Sequence, residues 1–144
     1  MKRNLVIFAI ISITISSQAQ TPADSAAIKE TALNYVEGWY EGNGDRMAKA
    51  LHPELAKRIV LKDDNGNSWL STMGATNLVQ GARRGGGKET PKDQQQKDVS
   101  ILDIYQNAAS VKAVMVGWID YMHMAKWNGE WRIVNVLWEY KPRK

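Results

Sequence analysis

The chain has 144 residues, 44% of them hydrophobic, with 19 lysines and arginines against 15 acids and no cysteine. This length points to one domain with one core, and the lack of cysteine excludes disulfides, thiol catalysis and thiolate metal sites together. Without Lys2 and Arg3, 17 bases face 15 acids, and a net charge of +2 (17 − 15) is too small to argue for nucleic acid.

Lys2 and Arg3 precede an apolar run from Leu5 to Ile15 and a small-x-small site at Ser17-Gln18-Ala19. This pattern predicts a signal peptide over residues 1–19 and one exported domain over residues 20–144, periplasmic or secreted. The apolar run is too short for stable membrane insertion, and the absence of Cys excludes a lipoprotein anchor.

Thr21-Pro22-Ala23-Asp24 opens a helix, with Thr21 as cap, Pro22 at the first helical position and Asp24 where a capping acid reaches back. Ile28, Ala32, Tyr35 and Trp39 recur at helical spacing, and Gly42-Asn43-Gly44 ends the run after Glu41. Asp45 is expected to cap a short second helix that His52-Pro53 closes after Leu51. Leu55 to Leu61 alternates as a short strand, and Trp69 to Gly81 reads as a third helix with Gly74 inside it. The stretch from Gly81 to Asp98, with Gly85-Gly86-Gly87 and Gln94-Gln95-Gln96, has little to pack and is expected to be a mobile loop. Val99 to Tyr105 is a strand that turns at Gln106-Asn107 into the apolar run beginning at Ala108.

Asn128-Gly129 joins the two long apolar runs that lie between Ala108 and Tyr140. A type I′ turn needs φ > 0 at both central residues, so Asn-Gly between such runs specifies a hairpin. With Trp127 opposite Glu130, one face carries Trp118, Asp120, Met122, Met124 and Lys126 opposite Glu139, Leu137, Asn135, Ile133 and Trp131. The other carries Ile119, Tyr121, His123, Ala125 and Trp127 opposite Trp138, Val136, Val134, Arg132 and Glu130. Both faces are largely apolar, so both should be covered. Helices first and an antiparallel meander afterwards make an α+β arrangement.

Several candidate motifs fail on their residues. Asp63-x-Asn65-x-Asn67 starts like a calcium loop, but Ser68 holds the position of its glycine and Gly74 that of its glutamate. Gly85-Gly86-Gly87-Lys88 starts like a phosphate loop, but Ala82 replaces its first glycine and Glu89 its hydroxyl residue. Two histidines with no His-x-x-x-His spacing make a poor metal site, so no metal and no cofactor are expected. Arg83 and Arg84 are either a solvated charge pair or contacts to an anionic ligand.

The order of elements, together with Ala32 to Tyr40, His52-Pro53-Glu54-Leu55, Val99 to Val116 and the ending Trp127 to Trp138, resembles the nuclear transport factor 2-like superfamily and, within it, the putative lumazine-binding branch. The resemblance implies a cone in which N-terminal helices pack on a curved antiparallel sheet, leaving a pocket between them, with dimers formed through the outer sheet face. It also implies that Trp131, Ile133 and Asn135 look into the cone with Trp118, Asp120 and Met122. Tyr121, Val134, Val136 and Trp138 would then lie outside as a homodimer surface.

On this placement Asp120 and Asn135 are diagonal neighbours. An acid among Trp118, Met122 and Leu137 would tend toward a raised pKa suited to proton transfer, unless Asn135, a Tyr hydroxyl or a Trp N–H satisfies it structurally. His52 either caps a helix end or touches a ligand, and His123 falls on the outer face. The resulting expectation is an exported protein that binds a small apolar or aromatic molecule between Tyr35, Trp39, Trp118, Asp120, Met122, Trp131 and Asn135. One alternative is a cofactor-free isomerase, dehydratase or cyclase using Asp120 as general acid or base and Asn135 as its orienting group. Another is a dimeric accessory module of an envelope complex with its cone filled by side chains.

Overall fold

A computed structural model describes residues 21–142, so the leader expected at 1–19 lies outside the described residues. Helices α1 (Pro22–Tyr40), α2 (Gly44–Ala50) and α3 (Ala75–Arg83) pack on one curved, unclosed sheet of six strands. The strands are β1 (Leu51–Lys62), β2 (Ser68–Gly74), β3 (Asp98–Tyr105), β4 (Ala108–Val114), β5 (Trp118–Trp127) and β6 (Glu130–Tyr140), in the order β2-β1-β6-β5-β4-β3. The architecture is α+β as expected. The sheet is mixed, however, because β1 runs parallel to β6 while the other neighbours are antiparallel.

Helix α1 starts as its sequence dictates. Pro22 is its first residue, and the Thr21 hydroxyl accepts from the Asp24 N–H and donates to the Asp24 carboxylate. Its buried face is Ile28, Ala32, Tyr35, Val36 and Tyr40, the stripe that the 3.6-residue period selects. Asp24 also ties the helix start to the hairpin, accepting from Lys126 Nζ at 2.8 Å and from the Trp131 indole at 3.0 Å.

Three local expectations give way. Asn43, not Asp45, caps α2, its side chain accepting from the Arg46 N–H. His52 and Pro53 close no helix cap but lie in the irregular start of β1, where the pairing with β6 shifts between Leu51 and Ala56. A proline without an N–H is tolerated at such a point. The predicted helix over Trp69–Gly81 is half strand: Ser68–Gly74 pairs with β1, placing Leu70 opposite Val60 and Trp69 opposite Leu61. Gly74 is the boundary, its N–H bonded to Asn77 Oδ1, and the helix follows it. Trp, Leu, Ser and Thr serve either conformation, and the free edge of β1 decides for the strand.

The hairpin turn is as expected, with φ of 50° at Asn128 and 83° at Gly129. Trp127 pairs with Glu130, and the inferred register holds back to Met124 opposite Ile133. There β6 bulges. His123 pairs with Asn135, so Val134 is an extra residue and every later β6 side chain changes face. Trp131 and Ile133 point inward as expected, but then Val136 and Trp138 point inward while Asn135 and Leu137 point outward. Val136 is fully buried and Leu137 is 51% exposed, the reverse of the expected assignment. On β5, Asp120, Met122 and Met124 are buried while Tyr121 and His123 are exposed, as expected.

The contacts around Asp24 hold its carboxyl down from 3.8 to about 2, through hydrogen bonds from Lys126, Trp131 and Thr21 in that order. Because the folded-state pKa is depressed, this stabilisation is complete above 3.8 and disappears as pH falls toward 2. Asp24→Asn should therefore lower the melting temperature at pH 7, and melts followed by circular dichroism should show the two proteins converging over that acid window.

Candidate functional site

Strand β1 is buried at Leu55, Lys57 and Ile59, so strict alternation carries a lysine onto the inner face between two core residues. Asp120, fully buried, enters from β5, and Tyr35 descends from α1. The three close a ring. Lys57 Nζ donates to Asp120 Oδ1 at 2.7 Å and to the Tyr35 hydroxyl at 2.6 Å, and that hydroxyl donates to Asp120 Oδ2 at 2.9 Å. Lys57 Nζ also lies 4.8 Å from the centroid of Trp138 and 5.3 Å from that of Tyr35, where ring quadrupoles favour a cation.

Burial strips the Lys57 ammonium of water and lowers its pKa, against the opposing pull of Asp120. The Tyr35 hydroxyl is pushed well above its ordinary value by burial first and by the Asp120 charge second. Tyr35 therefore stays protonated and can donate. An ammonium has three N–H groups; two are used, and the third has no hydrogen-bond acceptor among the described residues.

Next to this ring lies a cavity of about 450 Å³, bounded by Tyr35, Lys57, Trp39, Trp118, Trp138 and Arg84, with Asn77, Leu78 and Gly81 contributed by α3. Trp118 meets Trp39 edge-on at 5.9 Å and Trp138 at 6.5 Å. The indole N–H groups of these three tryptophans are buried without an acceptor among the described residues, each a cost of about 1–3 kcal/mol.

The glycine segment that fails as a phosphate loop serves as the backing of Trp39. Gly86 adopts φ of 50°, and a Cβ there would sit 2.5 Å from the Trp39 carbonyl oxygen; one at Gly87 would sit 2.7 Å from Trp39 Cδ1. The Gly87 N–H donates to the Trp39 carbonyl at 2.9 Å, and the Tyr40 hydroxyl donates to the Gln96 carbonyl at 3.1 Å. The stretch expected to be a mobile loop is thus tied to the end of α1. Only glycine allows so close an approach.

Of the residues singled out from sequence, Tyr35, Trp39 and Trp118 line the cavity and Asp120 lies behind it, held by Lys57 and Tyr35. Asn135 does not meet Asp120. The bulge turns it outward, where it accepts from Arg58 at 2.9 Å and lies 3.2 Å from His123. Met122 is a core residue opposite Val136, and Trp131 is bound to Asp24 at the start of α1, away from the cavity. His52 stacks edge-on against Trp127 at 4.8 Å, also away from it. Among the described residues no three His, Asp or Glu gather as a metal site, and no helix is long and apolar enough to cross a membrane.

A sequence profile of the family described as Putative lumazine-binding matches residues 23–139, nearly all of the described chain. The chain belongs to the Putative lumazine-binding family. No curated protein matches it. Crystal structures of nuclear transport factor 2-like proteins of unknown function match this family member in fold. One from Shewanella baltica OS155 is 18% identical, covers 86% of this chain and 99% of its own, and gives a TM-score of 0.63. One from Methylobacillus flagellatus KT is 19% identical over 86% and 97%, at 0.65, and one from Silicibacter pomeroyi DSS-3 is 15% identical over 85% and 100%, at 0.59. At these identities the likeness is one of fold, and the Putative lumazine-binding chain has the nuclear transport factor 2-like architecture.

Lys57 and Trp138 escape the reading by sequence, whereas of the two arginines named there as a charge pair or ligand contacts, Arg84 lines the cavity and Arg83 pairs with Asp45. Lys57 left a signal, since it alternates with Leu55 and Ile59 and a lysine at a core position calls for a buried acid. Trp138 was misplaced by the bulge. Removing one member of a buried pair strands the other charge, so Lys57→Met should cost about 3–5 kcal/mol in urea unfolding. Adding Asp120→Asn should recover part of that loss, giving a coupling energy above about 1 kcal/mol.

Proposed function

We propose that this chain is an exported small-molecule-binding protein whose ligand occupies the cavity between α1, α3 and the sheet. The family description and the leader pattern at residues 1–19 support this reading. The observation that carries it is the cavity itself: about 450 Å³ walled by three tryptophans, with a single ammonium reaching it from the buried ring. Apolar walls with a few placed polar groups are the usual make-up of a ligand site. A cone plugged by side chains, as the accessory-module reading requires, would have no such space.

Lys57 and Tyr35 are the ring members on the cavity wall. Asp120 has both oxygens engaged behind them and acts as a positioning residue that fixes their orientation. Any proton transfer at this site would run through the Tyr35 hydroxyl or the Lys57 ammonium. A native-state ligand stabilises by mass action, so a thermal-shift screen of aromatic metabolites should raise the melting temperature of the wild type. Trp118→Ala, which opens one wall, should abolish the shift for the same compounds. A screen without any shift, repeated by tryptophan fluorescence, would count against the cavity as a site.

The outer sheet face fits a second copy of the chain. Val60, Leu70, Tyr121 and Leu137 are each roughly half exposed there, around the polar centre formed by Arg58, Asn135 and His123. Exposed apolar area of this kind is rarely left open on a monomer. Sedimentation equilibrium should give twice the chain mass at micromolar concentration, and Leu137→Lys should shift the population toward the monomer.

A further inference from the structure

We propose that the ligand of this cavity is a planar aromatic anion, a ring system bearing a carboxylate or comparable oxyanion, recognised by Lys57 and Arg84. The inference rests on the binding reading above and narrows it to a charge class. Lys57 and Arg84 line the cavity, and among the described residues no Asp or Glu lines it. The nearest acid, Asp120, is fully buried with one oxygen on Lys57 and the other on the Tyr35 hydroxyl, so its charge is already matched. One positive charge is left over at Arg84.

Arg84 has no ion-pair partner among the described residues. The adjacent Arg83 does, reaching Asp45 at 2.9 Å from the far side of the helix end. The two neighbouring arginines therefore have different environments: one braces α2 against α3, and the other stands exposed at the cavity with its donors unengaged.

The polar groups that reach the cavity are donors: the third N–H of Lys57 and the Arg84 guanidinium lack an acceptor among the described residues, and Asn77 spends its oxygen on the Gly74 N–H. A guest that supplies acceptor lone pairs and negative charge satisfies these donors, whereas a cationic guest would face the unmatched charge of Arg84. Hydrogen bonds between charged partners are about twice as strong as neutral ones. The ring requirement comes from the walls, where edge-to-face tryptophans leave flat indole surface for a planar guest.

The test compares 2-naphthoate with its neutral relative 2-naphthamide by isothermal titration calorimetry on the full mature chain. Naphthoate should bind about tenfold or more tighter than the amide, the scale of one charge-assisted contact. Arg84→Gln alters an exposed side chain and should keep the wild-type melting temperature. It should weaken naphthoate about fivefold or more while leaving the amide within about twofold. Equal affinity of the two compounds, or equal weakening of both by Arg84→Gln, overturns the anion assignment and leaves the binding site standing. Failure of both compounds to bind, together with every neutral aromatic in the thermal screen, overturns the cavity reading itself.

Discussion

The structure depends on one buried ion pair. Taking an ammonium and a carboxylate out of water costs several kcal/mol for each ion, which is repaid only when geometry is good and the remaining hydrogen-bonding capacity is used. Tyr35 supplies that use, standing between Lys57 and Asp120 and bonding to both. Because the three side chains come from β1, β5 and α1, their closure fixes the helix over the sheet at one point. One ammonium N–H is left directed by this frame rather than by its own flexible stem, so the group is preorganised before any ligand arrives.

The bulge at Val134 makes this site possible. Without it, regular alternation would have placed Asn135 and Leu137 inside and Trp138 outside. With it, Trp138 comes under the Lys57 ammonium and against Trp118, and Asn135 joins Arg58 and His123 on the outer face. A single inserted residue thus decides both the aromatic wall of the cavity and the polar centre of the opposite surface.

The glycine segment after α3 acts on the same wall from outside. It fits against Trp39 because Gly86 and Gly87 have no side chain, and the Gly87 N–H bonds to the Trp39 carbonyl at the end of α1. Trp39 is therefore held between the cavity and a backbone strap. Arg83 and Arg84 leave α3 just before this strap, and their divergence, toward Asp45 and toward the cavity, follows from their successive positions at the helix end.

Short-range chemistry determined what lies within a few residues of its cause. Thr21-Pro22 could only start a helix, Asn128-Gly129 could only close a tight hairpin, and the Ile28 to Tyr35 spacing selected the buried stripe, because capping, left-handed turn geometry and helical period act through neighbours in the chain. Tyr35 and Trp39 were legible for the same reason, while the inward placement of Trp118 and Asp120 followed from the family resemblance, since hairpin pairing alone leaves the choice of face open. Tertiary structure decided everything that required a distant partner: β2 became strand only because the edge of β1 was there to pair with it, and Lys57 became half of a site only because β5 brought Asp120 to it. The face of each residue after Ile133 was also settled there, since side-chain parity in a strand flips with one bulged residue, and a bulge is fixed by the curvature of the whole sheet rather than by the local sequence.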